Sequence, residues 1–123
     1  MSKFAQVAAV LVLSTPTWQA HAQEFPSGAA PLSAVDLQKR MAGKVFDVKI
    51  AKGGDWRFEL KENGYFFLNT TGGYSDAGEW KAEDGKLCTS PRKGRSACNE
   101  MRADGEALFM KRDNGDIVQF VAR

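Results

Sequence analysis

Short stretches of alternating apolar and polar residues, separated by tight-turn dipeptides, fill the chain from about residue 44 onward. The clearest example is the run from Gly78 to Cys88, in which Trp80 and Ala82 alternate with charged residues. A period of two is typical of a half-buried strand. Asp84-Gly85 is typical of a hairpin turn, because this pair tolerates a positive φ. The run therefore predicts two antiparallel strands joined by a hairpin.

Seven turn signals separate eight strand-like stretches at a spacing close to ten residues. Consecutive hairpins make a meander, and eight strands allow a meander to close and so remove its exposed edges. We therefore predict an all-β fold, a single antiparallel eight-stranded meander that closes into a small barrel. An open curled sheet or a two-sheet sandwich is the alternative. The predicted strands lie near residues 46–50, 56–61, 65–69, 74–82, 86–89, 97–102, 106–111 and 116–122.

One short helix is predicted before the first strand. Ser33 is a favourable N-cap, and Gly43 is a natural stop after two to three turns. Val35, Leu37 and Met41 are expected to share the apolar face of this helix. We expect the helix to cap the barrel.

The first 22 residues contain the three parts of a signal peptide in the right order. Lys3 supplies a positive charge, residues 7–13 are apolar, and Ala20-His21-Ala22 is a small-x-small cleavage site. We therefore expect export to the periplasm or full secretion, with a mature chain that begins at Gln23. A buried N-terminal helix is the alternative. No stretch reaches the roughly 18–20 apolar residues of a membrane span.

The remaining chain is predicted to contain an irregular leader (residues 23–31) and one helix-capped barrel domain (residues 32–123). His21 is the only histidine, and cleavage would remove it. A Ser-His-Asp site, a Cys-His site and a histidine-ligated zinc would then be excluded. The sequence has no phosphate loop, dinucleotide fingerprint or nucleophile elbow, so no cofactor is predicted. A formal net charge of +2 provides no global attraction to nucleic acid.

Cys88 and Cys98 are the only cysteines. In an oxidising compartment an even pair predicts one disulfide, here across a hairpin that contains Pro91 and Gly94. Chain entropy gives such a bond roughly 3 kcal/mol of stabilisation. A redox pair is the alternative, but the spacing is not Cys-x-x-Cys. Two thiolates alone do not complete a tetrahedral metal site, so no metal is predicted.

The run from Met41 to Phe46 (MAGKVF) leads from the helix into the meander, and Gly-Glu-Trp with Leu-Cys and Cys98 follows later. With these features the chain resembles small exported bacterial lipocalin-like β-barrel proteins, many of unassigned function. It is also similar to the exported protease inhibitors of bacteria, which are small disulfide-bearing eight-stranded barrels. The resemblance covers residues 32–123. It implies a barrel and an exported protein, and it assigns no functional residues.

Aromatic residues are concentrated between Trp56 and Trp80. Aromatic faces bind sugars, lipid tails and other apolar groups, although a small β domain also needs them in its core. Phe58 and Phe67, like Trp56, are expected to be mainly core residues. The run from Tyr65 to Leu68 cannot direct all its side chains to one face. The candidate ligand-binding residues are Trp56, Tyr65, Phe66, Tyr74 and Trp80.

Arg92, Lys93 and Arg95 lie at the tip of the disulfide hairpin and are candidate partner-binding residues. Three cations on a stapled loop can bind a phosphate, an acidic glycan or an acidic protein surface. A pre-ordered loop also loses less entropy on binding. The alternative is a solvated turn that is polar because it is exposed.

The leading hypothesis is a non-catalytic exported protein that contacts another protein through its loops, as an inhibitor or an immunity protein does. A barrel of eight short strands is expected to be filled by its own side chains, which favours a protein partner. The alternative is a carrier for a small apolar ligand or a glycan. A hydrolase with paired carboxylates is a third hypothesis, although no suitably placed pair is visible. The carrier hypothesis predicts a cavity lined by Trp56, Phe58, Phe67 and Trp80.

Overall fold

The computed structural model describes residues 23–50 and 54–123. The predicted signal peptide, residues 1–22, lies outside the described residues. In chain order the elements are β1 (Ala30–Pro31), α1 (Ala34–Met41), β2 (Lys44–Ile50), β3 (Gly54–Leu60), β4 (Tyr65–Thr70), β5 (Ser75–Glu83), β6 (Lys86–Pro91), β7 (Ala97–Asp104), β8 (Ala107–Lys111) and β9 (Ile117–Ala122).

The strands from β2 to β9 form a closed antiparallel barrel. Each strand pairs with the next along the chain, and β9 returns to pair with β2. The closing register places Phe46 opposite Ala122 and Val48 opposite Phe120. The predicted eight-stranded meander barrel is therefore confirmed, and the open-sheet alternative is wrong.

A ninth strand, β1, was not predicted from the sequence. It has only two residues and pairs with the end of β7, with Ala30 opposite Ala103. The leader before it is also bonded to the barrel. The Gln23 N–H donates to the carbonyl of Gly115 (3.2 Å), and the Ile117 N–H donates to Gln23 Oε1 (2.8 Å). A strand this short has no periodicity that a sequence pattern can reveal.

The helix closes one end of the barrel, which we call the helix end. The Ser33 hydroxyl accepts a hydrogen bond from the Asp36 N–H (3.2 Å), which confirms the predicted N-cap. Leu37 and Met41 are completely buried in the core. Val35 is 62% exposed, so its predicted place on the apolar face is wrong. It lies two residues, or about 200° of helical rotation, from Leu37.

The strand alternation decides which side chains fill the barrel. Phe58 packs on Phe66 with ring centroids 5.3 Å apart, and on Phe120 at 5.8 Å. Phe66 is buried, whereas Phe67 is 42% exposed on the outer face. The expectation that Phe67 belongs to the core is therefore wrong. The strand alternates strictly, so a run of large apolar residues can direct only every second one inward.

Candidate functional site

The opposite end of the barrel, which we call the open end, is formed by the loops β4–β5, β6–β7 and β8–β9. A cavity of about 380 Å³ opens there. This size lies within the roughly 300–1,000 Å³ typical of small-molecule sites. Its apolar floor consists of four buried core side chains and one partly buried one, namely Phe58, Phe66, Leu87 and Met110, with Leu68. The barrel is therefore filled by its own side chains at the helix end and unfilled at the open end.

Polar side chains form the rim because the inward-facing positions become polar towards the open end. Asp76 lies two residues before the buried Gly78, and Asn99 lies two residues before the buried Met101. Arg112 follows the last inward residue of β8 by two positions. A period of two keeps such residues on the inner face. All three line the cavity.

Asp76 is the polar centre of the rim and is only 8% exposed. Its carboxylate accepts hydrogen bonds from the backbone N–H of Ala77 (2.8 Å), the backbone N–H of Lys93 (3.2 Å) and the hydroxyl of Tyr74 (3.2 Å). Burial alone would raise the pKa of Asp76, but these hydrogen bonds outweigh burial and lower it. The pKa of Tyr74 is raised by burial and by its bond to Asp76. Asp76 thus fastens the β6–β7 loop to β5.

The β8–β9 loop places a second set of polar groups on the rim. The guanidinium of Arg112 lies over the ring of Trp56, 4.9 Å from its centroid, and Nη1 is 3.9 Å from Asp116 Oδ2. The amide of Asn99 donates to Asp113 Oδ1 (3.0 Å). Trp56 therefore holds a cation at the wall of the cavity.

The structure separates the three predicted partner-binding cations. Lys93 is held against β5, because its Nζ donates to the Ser75 carbonyl (2.7 Å) and lies 5.5 Å from the Tyr74 ring centroid. Arg95 is exposed and lines the cavity. Arg92 is exposed and does not line the cavity. Arg92 and Lys93 lie along a second groove beside Phe67 and Ala77, whereas Arg95 faces the cavity, so the three cations do not share one site.

The predicted aromatic residues also separate. Trp56, Phe66 and Tyr74 line the cavity. Tyr65 is 45% exposed and does not contribute to the cavity lining. Trp80 is buried in the core, where its indole N–H donates to the Lys61 carbonyl (2.9 Å). Of the lining predicted for a carrier, Trp56 and Phe58 are in place, whereas Phe67 and Trp80 lie elsewhere.

Cys88 and Cys98 form the predicted disulfide. They are directly opposite each other on β6 and β7, with Cα atoms 4.0 Å apart. Their chain neighbours Thr89 and Ala97 line the cavity, so the bond joins the two strands beside the open end. A disulfide is compatible with an oxidising, exported environment. The carboxylate of Glu83 lies within 4.8 Å of both sulfurs, but disulfide sulfurs are not thiolate ligands.

Gly78 shapes the open end, and the sequence reasoning missed it. A Cβ at this position would overlap the carbonyl oxygen of Ser90 and lie 2.8 Å from the Cα of Pro91. Gly78 therefore lets the end of β6 fold closely over β5, where the Arg92 N–H donates to the Ala77 carbonyl (2.9 Å). A glycine inside a strand is the sequence signal for such a close backbone approach.

Comparisons with known protein families, with curated proteins and with solved structures found no match. In the part of the chain that the structure describes, no helix has the length and apolar character needed to cross a membrane. Fold and site together define a disulfide-linked antiparallel barrel, consistent with a lipocalin-like barrel, that is closed by a helix at one end and open to a polar-rimmed cavity at the other.

Proposed function

We propose that this protein is a non-catalytic, exported binding protein that takes up a small amphipathic molecule at the open end of its barrel. The observation that supports this proposal best is the cavity of about 380 Å³ with an apolar floor and a polar rim. Burial of the ligand's apolar surface on this floor contributes roughly 25 cal/mol of binding free energy for each Å² removed from water. The rim groups give the ligand an orientation.

The rim is held in place before any ligand arrives, which favours binding. Asp76 fixes the β6–β7 loop through the Lys93 N–H, and Asn99 fixes Asp113. The disulfide joins β6 and β7 next to the same loop. A pre-ordered site loses less conformational entropy on binding than a mobile one.

Export is part of the same proposal and rests on two features. The sequence of residues 1–22 predicts a signal peptide. The Cys88–Cys98 disulfide is the kind of bond that persists in a periplasm or outside a cell. The lipocalin-like resemblance suggests a bacterial envelope or secreted protein of this class.

The proposal can be tested with N-phenylnaphthylamine, a neutral apolar probe whose fluorescence rises on burial. We expect saturable binding of one probe per chain to the purified, oxidised protein. Thr89→Phe, which places a ring in the cavity, should abolish binding, because Thr89 lines that space. Ser90→Phe is the matched control, because the neighbouring side chain is exposed and outside the cavity. Equal binding by both variants, or no saturable binding by the parent protein, would contradict the proposal.

A protein partner remains the second candidate function, and Arg92 is the observation that favours it. This residue is exposed, and its backbone N–H is bonded to Ala77. An exposed arginine on an ordered loop suits an acidic surface. We expect the parent protein to capture an envelope protein and the Arg92→Ala variant to fail to capture it. Probe binding should be the same in both. Equal capture by parent and variant would remove this candidate.

A further inference from the structure

The charged groups that line the cavity differ in how many of their hydrogen-bonding atoms already have a partner. Among the described lining residues the acids are Asp76 and Asp113, and both already accept hydrogen bonds. Asp76 accepts from two backbone N–H groups and from the Tyr74 hydroxyl. Asp113 accepts from the Asn99 amide. A ligand cation at Asp76 would have to compete with these donors and would leave buried polar groups unpaired, which is costly, whereas Asp113 is exposed.

The two arginines that line the cavity have fewer partners for their N–H donors. Arg112 has one distant ion pair, at 3.9 Å to Asp116, and its guanidinium carbon lies 4.9 Å from the centroid of the Trp56 ring. Arg95 is exposed, and no carboxylate among residues 23–50 and 54–123 lies within 4.0 Å of its guanidinium. A guanidinium has five N–H donors in a planar fork that matches carboxylate, sulfonate and phosphate groups. Both side chains therefore retain donors that face the same cavity.

Resting on the function proposed above, we infer that the ligand of the open end is an amphipathic anion. Its apolar part lies on the floor formed by Phe58, Phe66 and Met110, and its acidic group is bound by Arg95 and Arg112. The cation-π contact with Trp56 limits the positions that Arg112 can take, so its guanidinium is partly positioned before the ligand binds. Binding of an anion would leave all the hydrogen bonds of Asp76 intact.

Two probes with one skeleton test this inference. Anilinonaphthalene sulfonate and N-phenylnaphthylamine share their ring system, and the sulfonate is the principal difference between them. We expect the sulfonate to bind about tenfold more tightly or better, because hydrogen bonds from a guanidinium to a charged acceptor are stronger than those between neutral groups. Its affinity should also fall as salt is raised, whereas the affinity of the neutral probe should not. Both dissociation constants are measured by fluorescence titration and calorimetry.

Variants then assign the effect to the two side chains. Arg95→Gln and Arg112→Gln should each weaken binding of the sulfonate about tenfold and change the affinity for the neutral probe much less. Arg92→Gln is the matched control, because it removes the same charge from the same loop outside the cavity. Arg95 is exposed, so its variant is expected to fold normally. Arg112→Lys keeps the charge and loses the planar fork, and it should retain an intermediate affinity.

The outcomes separate this inference from the proposed function. If both probes bind equally and the arginine variants change neither, the ligand is not recognised as an anion, and the inference is overturned while the carrier function stands. If the parent protein shows no saturable binding of the neutral probe, the proposed function fails, and the inference that rests on it fails with it. If the sulfonate binds equally well to Thr89→Phe, it is adsorbed outside the cavity, which also overturns the inference.

Discussion

The inner face of the barrel runs through both ends, but its side chains are apolar at the helix end and include polar and charged groups at the open end. At the helix end, Leu37, Met41 and Leu60 are completely buried. At the open end, the inward positions include Asp76 and Arg112, and a cavity of about 380 Å³ remains. Strand alternation alone does not make a core. Where the helix covers the inner face and the inward-facing residues are apolar, that face forms the core. Where the inward-facing residues are polar, it forms a candidate site.

The two ends are also stabilised differently. The helix end gains from the removal of apolar surface from water. The open end depends on hydrogen bonds, and no buried side-chain nitrogen or oxygen among the described residues lacks a partner. Its polar groups are therefore satisfied and carry no unpaired buried atom that would weaken the fold. Changes at the two ends should then have separable effects on stability and on binding.

The largest expected effect is on stability, from Leu37→Ala at the helix end. Leu37 is fully buried, and truncating a buried leucine leaves a cavity and costs about 2–5 kcal/mol. This is a large share of a typical folding free energy of roughly 5–15 kcal/mol. We expect the urea midpoint followed by circular dichroism to fall accordingly, while the probe dissociation constant below the transition stays the same.

Val35→Ala is the matched control for this change. Val35 lies on the same helix but is 62% exposed, so its truncation should alter the unfolding free energy by no more than about 0.5 kcal/mol. An equal loss of stability in both variants would show that the helix does not plug the barrel. A loss of probe binding in Leu37→Ala would show that the two ends are coupled.

Much of the fold could be predicted from the sequence, because its signals are local and repeated. The alternation around Trp80 and the turn at Asp84-Gly85 indicated a hairpin, and the structure pairs Glu83 with Lys86 across it. The disulfide followed from two cysteines on one hairpin. Strand β1 could not be predicted in this way, because Ala30 and Pro31 are paired only through the tertiary position of β7.

The candidate site was less predictable, because it depends on the phase of each strand. Phe66 and Phe67 are adjacent and chemically identical, so only strand pairing decides which one faces inward. Arg95 and Lys93 appeared as one group in the sequence, yet their surroundings differ in the structure. A polar residue in phase with core residues, as Asn99 is with Met101, was the signal that could have revealed the rim.

The next expected effect concerns Gly78, which brings β6 over β5 at the open end. Gly78→Ala should destabilise the protein by about 1–3 kcal/mol and weaken probe binding, because the added Cβ would overlap backbone atoms of Ser90. Gly72→Ala is the control, since nothing lies within 4 Å of a Cβ at that position. Urea unfolding and a probe titration are the measurements. If both alanine variants behave alike, the close approach at Gly78 is not required.

The smallest expected effect is on the pH dependence of the open end. The pKa of Asp76 is lowered below its ordinary value of 3.8, because hydrogen bonds from Ala77, Lys93 and Tyr74 outweigh the opposing effect of burial. A lowered folded-state pKa means that the ionised carboxylate stabilises the fold fully above 3.8. This contribution is lost as the pH falls through the lower folded value. Protonation should then loosen the β6–β7 loop.

Asp47 provides the comparison that separates this loop from acid unfolding in general. The pKa of Asp47 is also lowered, chiefly by its hydrogen bond from Arg123, but that pair lies on the barrel exterior. The amide resonance of Lys93, followed by NMR as the pH is lowered, should shift with a midpoint below 3.8 in the parent protein and in Asp47→Asn. In Asp76→Asn the shift should disappear. A midpoint at or above 3.8, or a shift that persists in Asp76→Asn, would mean that another group holds the loop. The ordered rim would then not depend on the carboxylate at its centre.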